Sequence, residues 1–308
     1  MTIQDAGRHL LSQLSAIYDD REAVNIAKWV MERLTGWTRI DQVVNKDVAL
    51  TAPQRRQLEN YTTALLAHKP VQYVLHEAWF YGMKLYVDEN VLIPRPETEE
   101  LVDWIVNEVR SLESGALSRE SVANSQNMSS SLPAPDSRLP TILDIGTGSG
   151  CIALGLKKGL PEAEVHALDV SPGALATAGR NATEQQLDIR LHEVDFLSEQ
   201  ARAALPSFDI IVSNPPYIPV RDKATMAANV LNHEPHLALF VDNDDPLQYY
   251  KAIAAFAKKH LRPAGTVYME IHEEAGNAVV ALFRQSGFAH TLLRKDLQGK
   301  NRMVKAAL

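Results

Sequence analysis

Thr141-Ile142-Leu143-Asp144-Ile145-Gly146-Thr147-Gly148-Ser149-Gly150 joins a short β-branched run to a glycine loop, and an apolar segment begins near Ile152. That order predicts a strand, a tight turn and a helix. Glycines at alternate positions permit the turn and let a ligand approach the backbone closely. The spacing is G-x-G-x-G, not G-x-G-x-x-G, and no Gly-Lys-Ser/Thr follows. A phosphate cradle of the P-loop type is thereby excluded, and a dinucleotide pyrophosphate site is disfavoured. Further strand candidates lie at 164–169 (EVHALD), 189–194 (IRLHEV), 208–213 (FDIIVS) and 266–271 (TVYMEI), with two more at 291–296 and 302–306. Strands spaced by helix-length segments predict an α/β fold with a doubly wound parallel sheet. The last two strands, joined by Leu297-Gln298-Gly299-Lys300, read as an antiparallel hairpin at its edge.

Two acidic strand ends follow the loop. Asp169 stands 19 residues after Gly150, where a carboxylate is placed to accept hydrogen bonds from ribose hydroxyls. Asp195, followed by Phe196, closes the third strand. Its carboxylate could accept from an adenine N6 while the phenyl ring packs on the base, although an Asp capping the next helix reads equally well. Together the three strand ends describe an adenosine-shaped slot. Without a pyrophosphate fingerprint, the expected cofactor is S-adenosylmethionine.

After the fourth strand comes Ser213-Asn214-Pro215-Pro216-Tyr217. Two successive prolines fix φ and remove two amide donors, leaving carbonyl oxygens without local partners. The Asn214 side-chain oxygen and the Pro215 carbonyl are then expected to point outward as two acceptors, with Tyr217 packing on the flat face between them. Such a pair suits a planar NH2 group on an sp2 carbon. Its nitrogen is a poor nucleophile, so orientation toward the methyl and stabilisation of positive charge developing on nitrogen would lower the barrier.

The rest of the chain frames this core. Residues 1–70 read as a helical domain: Ile26, Val30 and Leu34 recur at fourfold spacing before Gly36, and Thr51 with Pro53 opens a helix bearing Leu58, Tyr61 and Leu65. Residues 71–92 are aromatic and β-branched and predict a linking β-hairpin turning near Gly82. A helix is expected from about Glu97. Residues 112–140, rich in Ser, Pro, Asn and Ala, read as a flexible insertion within a catalytic domain spanning 93–308. The net charge is −7, from 31 basic and 38 acidic residues. That balance disfavours stable nucleic-acid binding. One cysteine rules out a disulfide framework and a Cys-cluster metal site, and no metal is expected. With no membrane span or secretory signal in view, a cytoplasmic chain is expected.

Asp144 to Gly150, Asp169 and Asn214-Pro215-Pro216-Tyr217 together resemble the class I methyltransferases that modify planar nitrogens. Lys69-Pro70-Val71-Gln72-Tyr73, Leu92 to Glu99 (LIPRPETE), Glu234 to Leu239 (EPHLAL) and Asp296 to Arg302 extend the match over nearly the whole chain. With these the chain resembles the release-factor glutamine methyltransferases. The resemblance implies a seven-stranded, Rossmann-like class I sheet with a small N-terminal helical domain that recognises substrate. It implies S-adenosyl-L-methionine held by Asp144, Gly146, Thr147, Gly148, Ser149, Gly150, Asp169, Asp195, Phe196 and Asn214. The substrate implied is the glutamine amide of the Gly-Gly-Gln motif in class 1 peptide-chain release factors. It would be held by Asn214, Pro215, Pro216, Tyr217 and Arg95, with Asn214, Pro215 and Tyr217 carrying the chemistry. For Arg95, a structural pairing with Glu97 or Glu99 is the alternative. The sequence departs from the family in the length of 112–140, in Phe196 where tryptophan is frequent, and in Val241-Asp242-Asn243-Asp244-Asp245 in place of a glycine-rich turn. Three other readings stay open: a glutamine methyltransferase acting on a ribosomal protein, an N6-adenine DNA methyltransferase, and a non-catalytic nucleotide-binding module.

Overall fold

The structure, a computed structural model, describes residues 1–123 and 139–308, with the backbone alone over 113–123 and at Thr225. It divides into two compact units: Met1–Glu77 with Val87–Glu89 and Thr225–Glu234, and Ala78–Tyr86 with Asn90–Ala224 and Pro235–Leu308.

The first unit is built on α1 (Ile3–Leu14), α2 (Asp20–Thr35), α3 (Arg39–Val44), α4 (Ala52–Leu66) and α5 (Val71–Leu75). Thr2, Thr38 and Thr51 open α1, α3 and α4 with reciprocal capping boxes to Asp5, Asp41 and Gln54. Each box satisfies two amides that a helix start leaves without partners. Helix α2 stops at Gly36, whose φ of 70° is the left-handed cap expected of glycine. Leu10, Leu14, Ile26, Val30, Leu58 and Leu65 share one apolar core. Residues 71–75 correct the expected strand. The Pro70 carbonyl accepts from the amides of Tyr73 and Val74, and His76 ends the turn in the left-handed region. Tyr73, Val74 and Leu75 are buried, so tertiary packing overrides a β-prone composition.

The second unit starts with the hairpin of β1 (Ala78–Phe80) and β2 (Met83–Leu85), shorter than expected. Tyr81 and Gly82 both have positive φ, as a two-residue hairpin turn requires. Phe80, Met83 and Leu85 enter the core of this unit. Helix α6 (Pro96–Ala123) follows. It shows that the stretch expected to be flexible from 112 is helical through Ala123. Leu112, Glu113, Ala116, Leu117, Arg119 and Glu120 are good helix formers, and extending an existing helix is far easier than nucleating one. Residues 124–138 of that expected insertion lie outside the described residues.

The chain then alternates through β3 (Thr141–Ile145), α7 (Cys151–Gly159), β4 (Glu164–Asp169), α8 (Pro172–Gln185), β5 (Arg190–Glu193), α9 (Glu199–Arg202) and β6 (Phe208–Ser213). Two short strands, β7 (Ile218–Pro219) and β8 (Phe240–Val241), pair in parallel. Between them lie α10 (Ala228–His233), which belongs to the helical unit, and α11 (His236–Leu239). Helix α12 (Gln248–His260), β9 (Leu261–Glu270), α13 (Gly276–Gln285), β10 (His290–Lys295) and β11 (Asn301–Ala307) complete the unit. Among the described residues seven strands form one sheet in the order β10-β11-β9-β6-β3-β4-β5, antiparallel only at the β10–β11–β9 edge. Strand β3 is buried along its whole length, which is why it reads as a nearly continuous apolar run. The chain runs outward from β3 through β4 to β5, then returns to place β6 on the other side of β3. At that reversal the loops after β3 and β6 diverge and leave a crevice at the carboxyl ends of the strands. No helix among the described residues is long and apolar enough to cross a membrane.

Candidate active site

The crevice is a pocket lined by the β3 loop, the ends of β4, β5 and β6, the segment before α6, and Pro235, Leu237, Ala238 and Tyr249. In the β3 loop Gly146, Gly148 and Gly150 have φ of 72°, 54° and 81°, conformations that L side chains rarely adopt. A Cβ on Gly146 or Gly148 would meet no atom within 4 Å, so the loop leaves an open cradle. A Cβ on Gly150 would instead lie 3.2 Å from the Ala178 Cβ, so this glycine lets α8 approach the loop. The amides of Gly146 and Thr147 both donate to the Leu168 carbonyl at 2.9 Å, which ties the loop to the end of β4.

Asp169 lies at the rim with both oxygens engaged once: Oδ2 accepts from the Gly148 amide at 2.9 Å and Oδ1 from the Ser171 amide at 3.0 Å. A carboxylate has about four acceptor positions, so capacity for a ligand remains. Asp195 is exposed at the pocket wall, where its Oδ1 accepts from the Leu197 amide. Phe196 also lines the pocket and stacks edge-on against Phe256. Thr147, Ser149, Arg95, Asn214, Pro215 and Pro216 line it as well.

Three expected site residues do not. Gly150 acts through packing, as above. Tyr217, expected to cover a flat substrate group, directs its hydroxyl to Glu270 Oε1 at 3.3 Å. Asp144, expected at the cofactor, is 0% exposed and holds the loop from below, its Oδ2 accepting from the Thr147 hydroxyl at 2.6 Å. Among the described residues its Oδ1 has no hydrogen-bond partner. Strand β3 is covered on both faces, so an acid at its end points into the protein rather than the crevice. Burial pushes the Asp144 carboxyl from its usual 3.8 up to about 7. The folded protein therefore binds this proton more tightly than the unfolded chain, and stability is lost as pH rises through that window. Asp144→Asn keeps the acceptor for Thr147 without the charge. Its melting temperature should exceed that of the wild type by on the order of 5 °C at pH 8 and converge on it only at about pH 3.5, below the carboxyl's ordinary range. Parallel curves at the two pH values would show that Asp144 does not titrate in this range.

Sequence reasoning passed over Thr98 and Glu270. The Asn214 Nδ2 donates to Thr98 Oγ1 at 3.2 Å, and the Thr98 hydroxyl donates to Glu270 Oε2 at 2.6 Å. The Asn214 amide thus turns its nitrogen toward Thr98 and its oxygen away. Among the described residues the Pro215 carbonyl accepts no hydrogen bond. Thr98 lay within the quoted 92–99 motif, but Glu270 carried no signal beyond being a carboxylate at a strand end.

The pocket fits an adenosine-bearing sulfonium on its own chemistry: an open glycine cradle, a carboxylate with spare acceptor positions, and apolar walls from Ile145, Leu168 and Phe196. Glycine loop, acidic second strand end and antiparallel sheet edge define a class I methyltransferase, and its methyl donor is S-adenosylmethionine. A Methyltransferase small domain matches residues 112–240, and a PrmC N-terminal domain matches 5–75. The release factor glutamine methyltransferase of Flavobacterium psychrophilum is 40% identical over 99% of both chains. That of Bacteroides thetaiotaomicron is 37% identical over 97% of both. The chain belongs to the release factor glutamine methyltransferase family. In fold alone it is similar to the hMettl16 catalytic domain, solved in complex with MAT2A 3'UTR hairpin 6. That likeness has a TM-score of 0.51 at 13% identity and covers 84% of this chain and 83% of that one.

Proposed function

We infer that this protein methylates the side-chain amide nitrogen of the glutamine in the Gly-Gly-Gln motif of class 1 peptide-chain release factors. The orientation of Asn214 carries the reading. With its Nδ2 committed to Thr98, its Oδ1 and the Pro215 carbonyl form a pair of acceptors suited to the two hydrogens of a primary amide. S-adenosylmethionine supplies an electrophilic methyl on a sulfonium. Asp169 would hold the ribose hydroxyls, the backbone of Gly146 to Ser149 would face the cofactor, and Asp195 with Phe196 would meet the adenine. Asn214 and Pro215 would orient the glutamine nitrogen and stabilise positive charge as it develops there. Arg95, at the pocket wall, offers a planar fork suited to carbonyls of the bound peptide.

The acidic balance of the chain supports an enzyme that forms no stable complex with nucleic acid, and its single cysteine suits the reducing cytoplasm. A labelled-methyl transfer assay offering release factor, ribosomal protein and duplex DNA side by side tests the reading. Label should appear on the release factor alone, and mass spectrometry should place one methyl on the Gly-Gly-Gln glutamine. Label on another substrate would overturn it.

A further inference from the structure

We propose that Thr98 and Glu270 are positioning residues that fix which end of the Asn214 amide faces the pocket, and that protonation of Glu270 releases it. The proposal deepens the reading of Asn214 as the acceptor for a substrate amide. Three distant segments meet here: the first turn of α6, the end of β9 and the turn after β6. Thr98 and Glu270 are each 1% exposed, so bulk water offers the hydroxyl no alternative partner. A hydroxyl has one proton, and Thr98 spends it on the carboxylate at 2.6 Å, a length typical of a charge-assisted bond. Only lone pairs are left for Asn214, so only its Nδ2 fits at 3.2 Å. An asparagine amide otherwise has two nearly equivalent orientations related by a half-turn.

The carboxylate is held for the task. Tyr217 donates to Oε1, and the Tyr250 hydroxyl donates to the Glu270 backbone carbonyl at 3.2 Å. The other charged or titratable groups facing it are Arg302 on β11, Glu97 on α6 and Cys151 on α7. Burial pushes Glu270 up to about 7, against the opposing pull of Thr98, Arg302 and Tyr217. Burial also pushes both tyrosines upward, and Cys151 up to about 12. Once protonated, Glu270 can donate to Thr98. The Thr98 proton then turns to Asn214, which must present its oxygen inward and its NH2 group to the pocket. Two NH2 groups face to face cannot pair.

The test has two readouts on the full-length protein. In the wild type, the 15N side-chain resonance of Asn214, assigned by comparison with Asn214→Asp, should titrate near pH 7. In Glu270→Gln, which cannot titrate, that transition should vanish. Methyl transfer to a release factor should show wild-type kcat falling below about pH 7. Thr98→Val, close in shape but lacking the hydroxyl, should lower kcat about tenfold at pH 8 and flatten the acid limb. KM and S-adenosylmethionine affinity should stay within about twofold, and Thr98→Ser should restore the wild-type profile. An unaltered acid limb in Thr98→Val, equal impairment of Thr98→Ser, or persistence of the Asn214 transition in Glu270→Gln would each overturn the relay. If the substrate reading alone is wrong, the wild type will not methylate the release factor, yet the resonance will still follow Glu270.

Discussion

Asn214→Ala is expected to lower the rate of methyl transfer by about 10²–10³-fold, the usual cost of removing one preorganised group that stabilises developing charge. The substitution removes one of two acceptors and leaves the Pro215 carbonyl, so the amide nitrogen is held at one hydrogen and free to rotate. S-adenosylmethionine affinity should change little, because the cradle and Asp169 belong to β3 and β4. Asn214→Asp offers two oxygens but brings a charge beside Thr98 and Glu270, and it should be impaired without being inactive. Single-turnover rates on a release factor substrate, with calorimetry for the cofactor, separate the two effects. A wild-type rate for Asn214→Ala would sink the mechanism.

Asp169→Ala should weaken S-adenosylmethionine binding by about tenfold to a hundredfold. A hydrogen bond to a charged group is worth roughly 1.5–3 kcal/mol, and each 1.4 kcal/mol is a factor of ten. The loss is expected toward the upper end, because the same carboxylate also receives the Gly148 and Ser171 amides. Removing it frees the loop as well as the ligand. Asp169→Asn should lie between, since one oxygen and the side-chain shape survive. Calorimetric titration decides the matter, and an unchanged dissociation constant for Asp169→Ala would refute the assignment.

Much of the sheet was legible because parallel strands buried on both faces are written as apolar runs. TILDI, EVHALD and FDIIVS coincide with β3, β4 and β6 to the residue. Strand β9 starts five residues earlier than expected, since Arg262-Pro263-Ala264-Gly265 has the composition of a turn and pairs across an irregular register with β6. Val71–Leu75 was misread because residue type alone could not show that Pro70 and His76 close a buried helical turn there. Of the two acids expected at the cofactor, Asp169 lies at the pocket rim and Asp144 beneath the loop, although both end neighbouring strands. The difference lies in which side of the glycine loop each carboxylate reaches, and that depends on the loop's path through three left-handed residues. The Tyr217 hydroxyl answers Glu270, 53 residues away, a pairing that no local pattern encodes.

The helical unit also sets an order on biosynthesis. Its segments are not contiguous: Met1–Glu77 is completed by Val87–Glu89 and by Thr225–Glu234. On a chain delivered N-terminus first, α1 to α5 emerge early, and domains commonly begin to fold as they appear. The last of this unit, with α10, leaves the ribosome only after roughly three quarters of the 308 residues have been made. By then β3 to β6 are already out. The apolar core of the helical unit runs from Ile3 to Leu75 and α10 has no buried residue, so that core can form early and receive its last segment much later. A fragment ending at Glu77 would keep that core and lack only Val87–Glu89 and Thr225–Glu234, the segments that arrive after it.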